Sequence, residues 1–229
     1  MKKVNVYGVK IPLNSPRQVA KYLYKKLERG ERAIIFTPNF QMLKSARKDI
    51  QIASMLNKAD LLLPDGIGVS LLCGRRVQRI AGIDAGYALL KYSAAQGKKV
   101  FLLGGTPSVA EVAEKKLAAK IPDLHICGTY HGYFDKSIGS DENSAVLKLI
   151  NDCAPQVVFV CFGFPLQERW ILENAPLIPS AKIFMGLGGS LDVWSGNQKR
   201  APLFFRAMGL EWFYRCVRQP KRFISLIRG

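Results

Sequence analysis

Residues 60–68 read DLLLPDGIG. Asp60-Leu61-Leu62-Leu63 is a short apolar run of the kind that forms a strand buried on both faces of a parallel sheet. Pro64-Asp65-Gly66 stops that strand and leaves Asp65 at its carboxyl end. In open α/β sheets, ligands settle in the crevice outside those ends. A carboxylate held between a φ-restricting Pro and a permissive Gly is well placed there to act as a base. The competing reading is that Asp65 caps the helix expected to begin near Ile67.

Outward from this stretch the chain repeats one pattern. Residues 3–11 read as an edge strand or hairpin around Gly8, and Ser15-Pro16 opens a helix to about Arg29. Strands are expected at Ala33–Thr37, Lys99–Leu103, Leu124–Thr129, Val157–Cys161 and Lys182–Met185. Helices of about 10–15 residues separate them, the βαβ alternation that predicts a parallel sheet with helices on both faces. Nearly every strand ends in a loop rich in Gly, Asn, Asp or Thr, so these loops converge on one edge of the sheet.

The chain has 229 residues, 48% hydrophobic and 22% charged, which fits a globular core and not a disordered segment. Cys73, Cys127, Cys153, Cys161 and Cys216 are scattered and never form a CxxC pair. That argues for a reducing, cytoplasmic setting and against a zinc site or a disulfide framework. His125 and His131 are the only histidines, so no metal centre is expected. MKKVNVYGVKIPLN is not a signal peptide, and the run Val157–Phe164 is too short to span a bilayer.

The formal net charge is +17, which calls for an anionic partner: nucleic acid, anionic lipid or a phosphorylated substrate. Residues 195–229 hold eight Lys/Arg against one acid, Glu211. Leu203, Phe204, Phe205, Met208, Trp212, Phe213, Phe223 and Ile224 are interleaved with them. Such a segment suits amphipathic helices lying on a membrane surface. A helix packed on the core with a solvated basic face is the plainer alternative. The expected division is a core over 1–195 and a basic appendage over 196–229.

Gly104-Gly105-Thr106, between a strand and a helix, can offer backbone N–H groups to a diphosphate. It is neither GxGxxG nor a P-loop, so the usual NAD fingerprint is unsupported. Gly186-Leu187-Gly188-Gly189 is a second such loop, with close packing at a turn as its alternative. Tyr22…Lys26 and Tyr87…Lys91 match a Tyr-x-x-x-Lys spacing but read as ordinary helix surface. No Asp-x-Asp pair occurs, which suggests that leaving-group charge is met by cations or amides.

Taken in order, Thr37-Pro38-Asn39, Pro64-Asp65-Gly66, Phe101-Leu102-Leu103-Gly104-Gly105, Gly132-Tyr133-Phe134 and Gly163-Phe164-Pro165-Leu166-Gln167-Glu168 form a set. Gly186-Leu187-Gly188-Gly189, Arg200-Ala201-Pro202 and Gly209-Leu210-Glu211-Trp212 with Tyr214-Arg215 complete it. The set resembles the WecG/TagA/CpsF family of bacterial glycosyltransferases, most closely its TagA-like members. The resemblance covers almost the whole chain. It implies a Rossmann-like core and an inverting, metal-independent transfer that uses no cofactor. N-acetylmannosamine would pass from a UDP-sugar to undecaprenyl-diphosphate-linked N-acetylglucosamine, a β-1,4 step of the teichoic acid linkage unit. It also implies that the appendage docks on the inner face of the cell membrane and completes the active site.

By the same resemblance, Asp65 is the general base, Thr37 its close neighbour, and Asn39 and Gln167 line the site. Arg215, with one or more of Arg218, Lys221 and Arg222, would reach diphosphate oxygens. From their place on the strand-end loops, and not from the resemblance, Gly104, Gly105, Gly186, Gly188 and Gly189 would supply amides, and Tyr133 or Phe134 could stack on uracil. Two rivals stay open. One keeps the chemistry with another UDP-sugar, glucose or N-acetylmannosaminuronic acid, in exopolysaccharide, capsule or enterobacterial antigen synthesis. The other is a nucleic-acid-binding protein, for which Rossmann-like loops and a lone basic tail make a poor groove reader. An apolar face on the tail could pair two cores into a homo-oligomer when no membrane is present.

Overall fold

The computed structural model describes residues 2–74, 76–202 and 204–205. A small antiparallel hairpin, β1 (Lys3–Val6) and β2 (Val9–Pro12), precedes α1 (Pro16–Glu28). The first turn of α1 carries a capping box. Ser15 Oγ accepts from Gln18 N at 3.3 Å and Gln18 Oε1 accepts from Ser15 N at 2.8 Å, with Pro16 where no N–H is needed.

The main sheet has six strands in the order β4-β3-β8-β7-β5-β6, every neighbouring pair parallel. These are β3 (Ala33–Phe36), β4 (Leu61–Leu62), β5 (Val100–Gly104), β6 (Ile126–Tyr130), β7 (Val157–Cys161) and β8 (Ile183–Gly186). Their side chains alternate between two cores. Val100 and Leu102 face one and Phe101 and Leu103 the other, and Leu61 and Leu63 are likewise split from Leu62. A strand buried on both sides has no polar face, which is why these runs read as unbroken apolar stretches.

Against the first core lie α1, α5 (Gly82–Ala95), α6 (Val109–Ala118) and α9 (Ser190–Trp194). The second is covered by the hairpin and by α2 (Phe40–Lys48), α3 (Ile50–Asn57), α4 (Ile67–Leu72), α7 (Asp141–Cys153) and α8 (Leu166–Asn174). This is the doubly covered parallel sheet expected from the alternation. The stretch that announced it forms the shortest strand, at the sheet edge. Its regular pairing is confined to Leu61–Leu62, although Leu63 N and Asp65 N go on to donate to Phe36 O and Pro38 O.

Connections leave neighbouring strands in opposite senses. From β5 the chain runs through α6, on the first face, outward to β6; from the adjacent β7 it runs through α8, on the second face, to β8. Similarly, β3 feeds α2 on one face while its neighbour β8 feeds α9 on the other. Such reversals leave open crevices at the carboxyl edge, where ligands bind in folds of this kind. A buried polar relay fixes α7 to α8 behind that edge. Trp170 Nε1 donates to Asn143 Oδ1 at 2.8 Å, Asn143 Nδ2 to Asn174 Oδ1 at 2.9 Å, and Asn174 Nδ2 to the Trp170 carbonyl at 2.9 Å.

Packing on the core continues past residue 195. Arg200 makes a bidentate pair with Asp84 of α5 at 2.6 and 2.7 Å, Gln198 N donates to Asp192 O, and Ala201 is buried. The Tyr-x-x-x-Lys pairs lie on helix faces as expected, Lys26 over the Tyr22 ring and Lys91 over that of Tyr87. Among the described residues, no helix is long and apolar enough to cross a membrane, and none of the four cysteines is in a disulfide.

Candidate active site

Asp65 stands where the sequence put it, on the loop leaving β4. The N-cap position of α4 is Gly66, at φ +89°, so Asp65 stands one residue before it. Its backbone N–H donates to the Pro38 carbonyl at 2.9 Å, which stitches this loop to Thr37-Pro38-Asn39. Thr37 is buried, and its hydroxyl donates to the Gly186 carbonyl at the end of β8, 2.9 Å away. The loops after β4, β3 and β8 are therefore tied together in that order.

Thr37 is also braced from the first face. A Cβ on Gly82, the first residue of α5, would lie 2.7 Å from Thr37 Cγ2 and 3.1 Å from Thr37 Cβ. The amino end of α5 carries no side-chain cap and is held to the β4 loop by Ile80 N donating to Pro64 O at 2.9 Å. We expect Gly82→Ala to destabilise the fold by about 1–3 kcal/mol through overpacking. Pushing Thr37 aside by roughly 1 Å should cost on the order of 10²-fold in rate. Denaturant unfolding together with a transfer assay checks both numbers.

Two expected site residues use their side chains internally. Asn39 is the N-cap of α2, its Oδ1 accepting from Met42 N at 3.1 Å. Gln167 is almost wholly buried. Its Oε1 accepts from Gly188 N at 2.8 Å and from Gly163 N at 3.3 Å, and its Nε2 donates to Glu168 Oε1 at 2.8 Å. Glu168 is fully buried, and desolvation pushes its carboxyl above the usual range.

Gly104 and Gly105 form a turn that only glycine fits, at φ +135° and +74°, with a Gly104 Cβ falling 2.4 Å from the Cys161 carbonyl oxygen. Gly105 N donates to that carbonyl at 3.3 Å. The amides of Gly105 and Gly188 are thus engaged inside the protein, which narrows the backbone donors at this edge.

Gly132 N donates to the Gly105 carbonyl at 2.8 Å, bringing the β6 loop into the same edge. Phe134 packs edge-on against Tyr130 and Phe162, whereas Tyr133 is 68% exposed, so Tyr133 is the ring open to a stacking partner. Lys136 lies between the Phe134 and Phe162 rings, 4.5 and 4.7 Å from their centroids. Its ammonium donates to the carbonyls of Gly132 and Phe134, and burial lowers its pKa. Among the described residues, no group of three or more His, Cys, Asp or Glu side chains is gathered as metal ligands would be. Arg215, Arg218, Lys221 and Arg222 lie outside the described residues.

Sequence reasoning missed Gly82, Lys136 and the role of Glu168. Glu168 had a signal: with Ile171 and Ala175 it falls on one helical stripe, a carboxylate on a buried face.

Compared with known proteins, residues 4–227 match the model of the glycosyl transferase WecG/TagA/CpsF family. The chain belongs to that family. A Bacillus subtilis (strain 168) relative is 38% identical over 201 residues, covering 85% of this chain and 76% of its own. A relative from Bacillus spizizenii is 37% identical over 205 residues, 88% of this chain and 77% of its own. One from Staphylococcus aureus (strain MRSA252) is 36% identical over 192 residues, 82% of this chain and 73% of its own. All three are named N-acetylglucosaminyldiphosphoundecaprenol N-acetyl-beta-D-mannosaminyltransferase. As a WecG/TagA/CpsF member, the chain is a glycosyltransferase with its polar loops gathered at one sheet edge.

Proposed function

We propose that this glycosyltransferase moves N-acetylmannosamine from UDP-ManNAc to the 4-hydroxyl of undecaprenyl-diphosphate-linked N-acetylglucosamine, with inversion, in building the teichoic acid linkage unit. The observation that carries the reading is a carboxylate, Asp65, on a strand-end loop tied to the Thr37 loop at the carboxyl edge of the sheet. The names of the relatives support the choice of donor sugar and acceptor. Asp65 takes the proton from the attacking hydroxyl as the new bond forms on the opposite face from the departing UDP. The leaving diphosphate gathers negative charge, which preorganised donors stabilise. The uncapped amino end of α5, against Thr37, is one such source. Arg215, with Arg218, Lys221 or Arg222, supplies guanidinium or ammonium groups from the basic tail. Tyr133 is the candidate for uracil.

The acceptor's diphosphate lies at the bilayer surface, so the enzyme works as a peripheral protein on the inner face of the cell membrane, its basic carboxyl-terminal segment against anionic lipid. Pairing of two cores through that segment off the membrane is part of the same reading.

The test is transfer to a short-chain lipid-diphosphate N-acetylglucosamine acceptor, with UDP-ManNAc, UDP-glucose and UDP-ManNAcA offered in turn. UDP-ManNAc should give a β-linked disaccharide, unaffected by a chelator. Transfer from UDP-glucose or UDP-ManNAcA alone would replace the donor, and chelator-sensitive transfer would bring in a divalent ion. RNA binding tighter than binding to anionic vesicles would overturn the membrane reading.

A further inference from the structure

Resting on the donor reading above, we infer that Glu168 and Gln167 act together as a clamp that locks the loop after β7 to the loop after β8 and so shapes the donor crevice. Both are positioning residues.

The geometry is specific. Gln167 Oε1 receives two amide N–H groups from different loops, Gly163 after β7 and Gly188 after β8. An amide carbonyl oxygen has two lone pairs, and this arrangement uses both. Were the amide turned over, its NH2 group would confront two N–H donors. The working orientation therefore requires an acceptor for Nε2 on the other side, and Glu168 Oε1 provides it at 2.8 Å. Space is reserved for the same side chain. A Cβ on Gly186 would lie 3.0 Å from Gln167 Nε2 and 3.2 Å from its Cδ, so Gly186 leaves the amide room to pass. Through the Gly186 carbonyl, which accepts from Thr37, the clamp adjoins the loop that carries Asp65.

Glu168 is an unusual residue for this work. It has no exposed surface, and its Oε2 has no hydrogen-bond partner among the described residues. An ionised carboxylate with a bare oxygen in such a place would be strongly disfavoured. Burial raises its pKa, with the Gln167 hydrogen bond and a backbone hydrogen bond opposing that effect. A neutral carboxyl needs only its carbonyl oxygen to hold Gln167 in register. A glutamine at 168 offers the same carbonyl oxygen, and its NH2 takes the place of the Oε2 hydroxyl. Methionine keeps the length and the apolar packing but has no comparable acceptor. The two substitutions separate the hydrogen bond from the volume.

The experiment uses the full chain and two readouts, amide hydrogen exchange at Gly163 and Gly188, and calorimetric binding of UDP. Glu168→Gln should leave both close to wild type. Glu168→Met should speed exchange at Gly188 by about tenfold, the scale of one lost hydrogen bond, with Leu102 in the sheet unchanged, and should weaken UDP by a similar factor. Gln167→Met should do the same, and the double variant should be no worse than either single one. Unchanged Gly188 exchange in Glu168→Met overturns the clamp. So does damage from Glu168→Gln equal to that from Glu168→Met, or losses that simply add. A wild-type chain that binds no UDP at all counts against the donor reading instead, and the exchange rates still decide whether the clamp exists.

Discussion

Asp65→Asn should reduce turnover by about 10²–10⁴-fold, the usual worth of a positioned general base, while UDP binding stays within roughly twofold of wild type. Asparagine preserves the shape of the side chain. The backbone bond from residue 65 to the Pro38 carbonyl, which ties the two loops, does not involve the side chain at all. The N-cap position of α4 belongs to Gly66, one residue further on. The substitution therefore removes a proton acceptor while keeping the backbone tie between the two loops. If the carboxylate works only as the new bond forms, kcat and kcat/KM fall together and the donor KM stays put. A variant that kept its turnover would remove Asp65 as the base. A rise in donor KM at constant kcat would recast it as a binding group.

What could be read from the chain divides along a physical line. The sheet was legible because its strands are buried on both faces, and such strands must be apolar throughout. The runs at Val100–Gly104 and Val157–Cys161 leave little else to be. Placement of the loops was legible too, since parallel strands joined by helices must present their carboxyl ends together. Partners of polar side chains were not. Asn39, Gln167, Gly105 and Gly188 all sit at the expected edge, yet each makes hydrogen bonds within the protein. A sequence gives the type of a polar group, whereas its partner depends on which loop the topology brings within 3 Å. Gly82 shows the same limit, because the contact that excludes a side chain there belongs to Thr37, far away in the chain. Glu168 is intermediate: its helical stripe gives away its burial, but nothing nearby in sequence says what it holds.

Removing residues 203–229 should abolish transfer to a membrane-borne acceptor while leaving a folded core that still binds UDP. The cut belongs after residue 202 and not at 195, because Gln198, Arg200 and Ala201 are built into the core and the Arg200–Asp84 pair anchors them to α5. The deletion takes away six Lys/Arg and one Glu, together with Trp212, Phe213 and Phe223. Each basic group near an anionic leaflet is worth about 1 kcal/mol, so engaging only three of the six would strengthen membrane partitioning by roughly 10²-fold. Aromatic side chains at the interface would add to that. Co-sedimentation with vesicles containing anionic lipid should thus separate the two proteins, the full chain pelleting and the truncated one staying in solution, with the difference shrinking as salt is raised. Chemistry gives a second, independent reason for the loss. Among the described residues, the lysine of the β6 loop, Lys136, already donates to two backbone carbonyls. The guanidinium groups proposed to meet the leaving diphosphate are in the deleted segment. A soluble acceptor lacking the long lipid should therefore restore only part of the rate to the truncated protein. Full restoration would reduce the tail to a membrane tether, and full activity on the lipid-borne acceptor would remove it from the mechanism altogether.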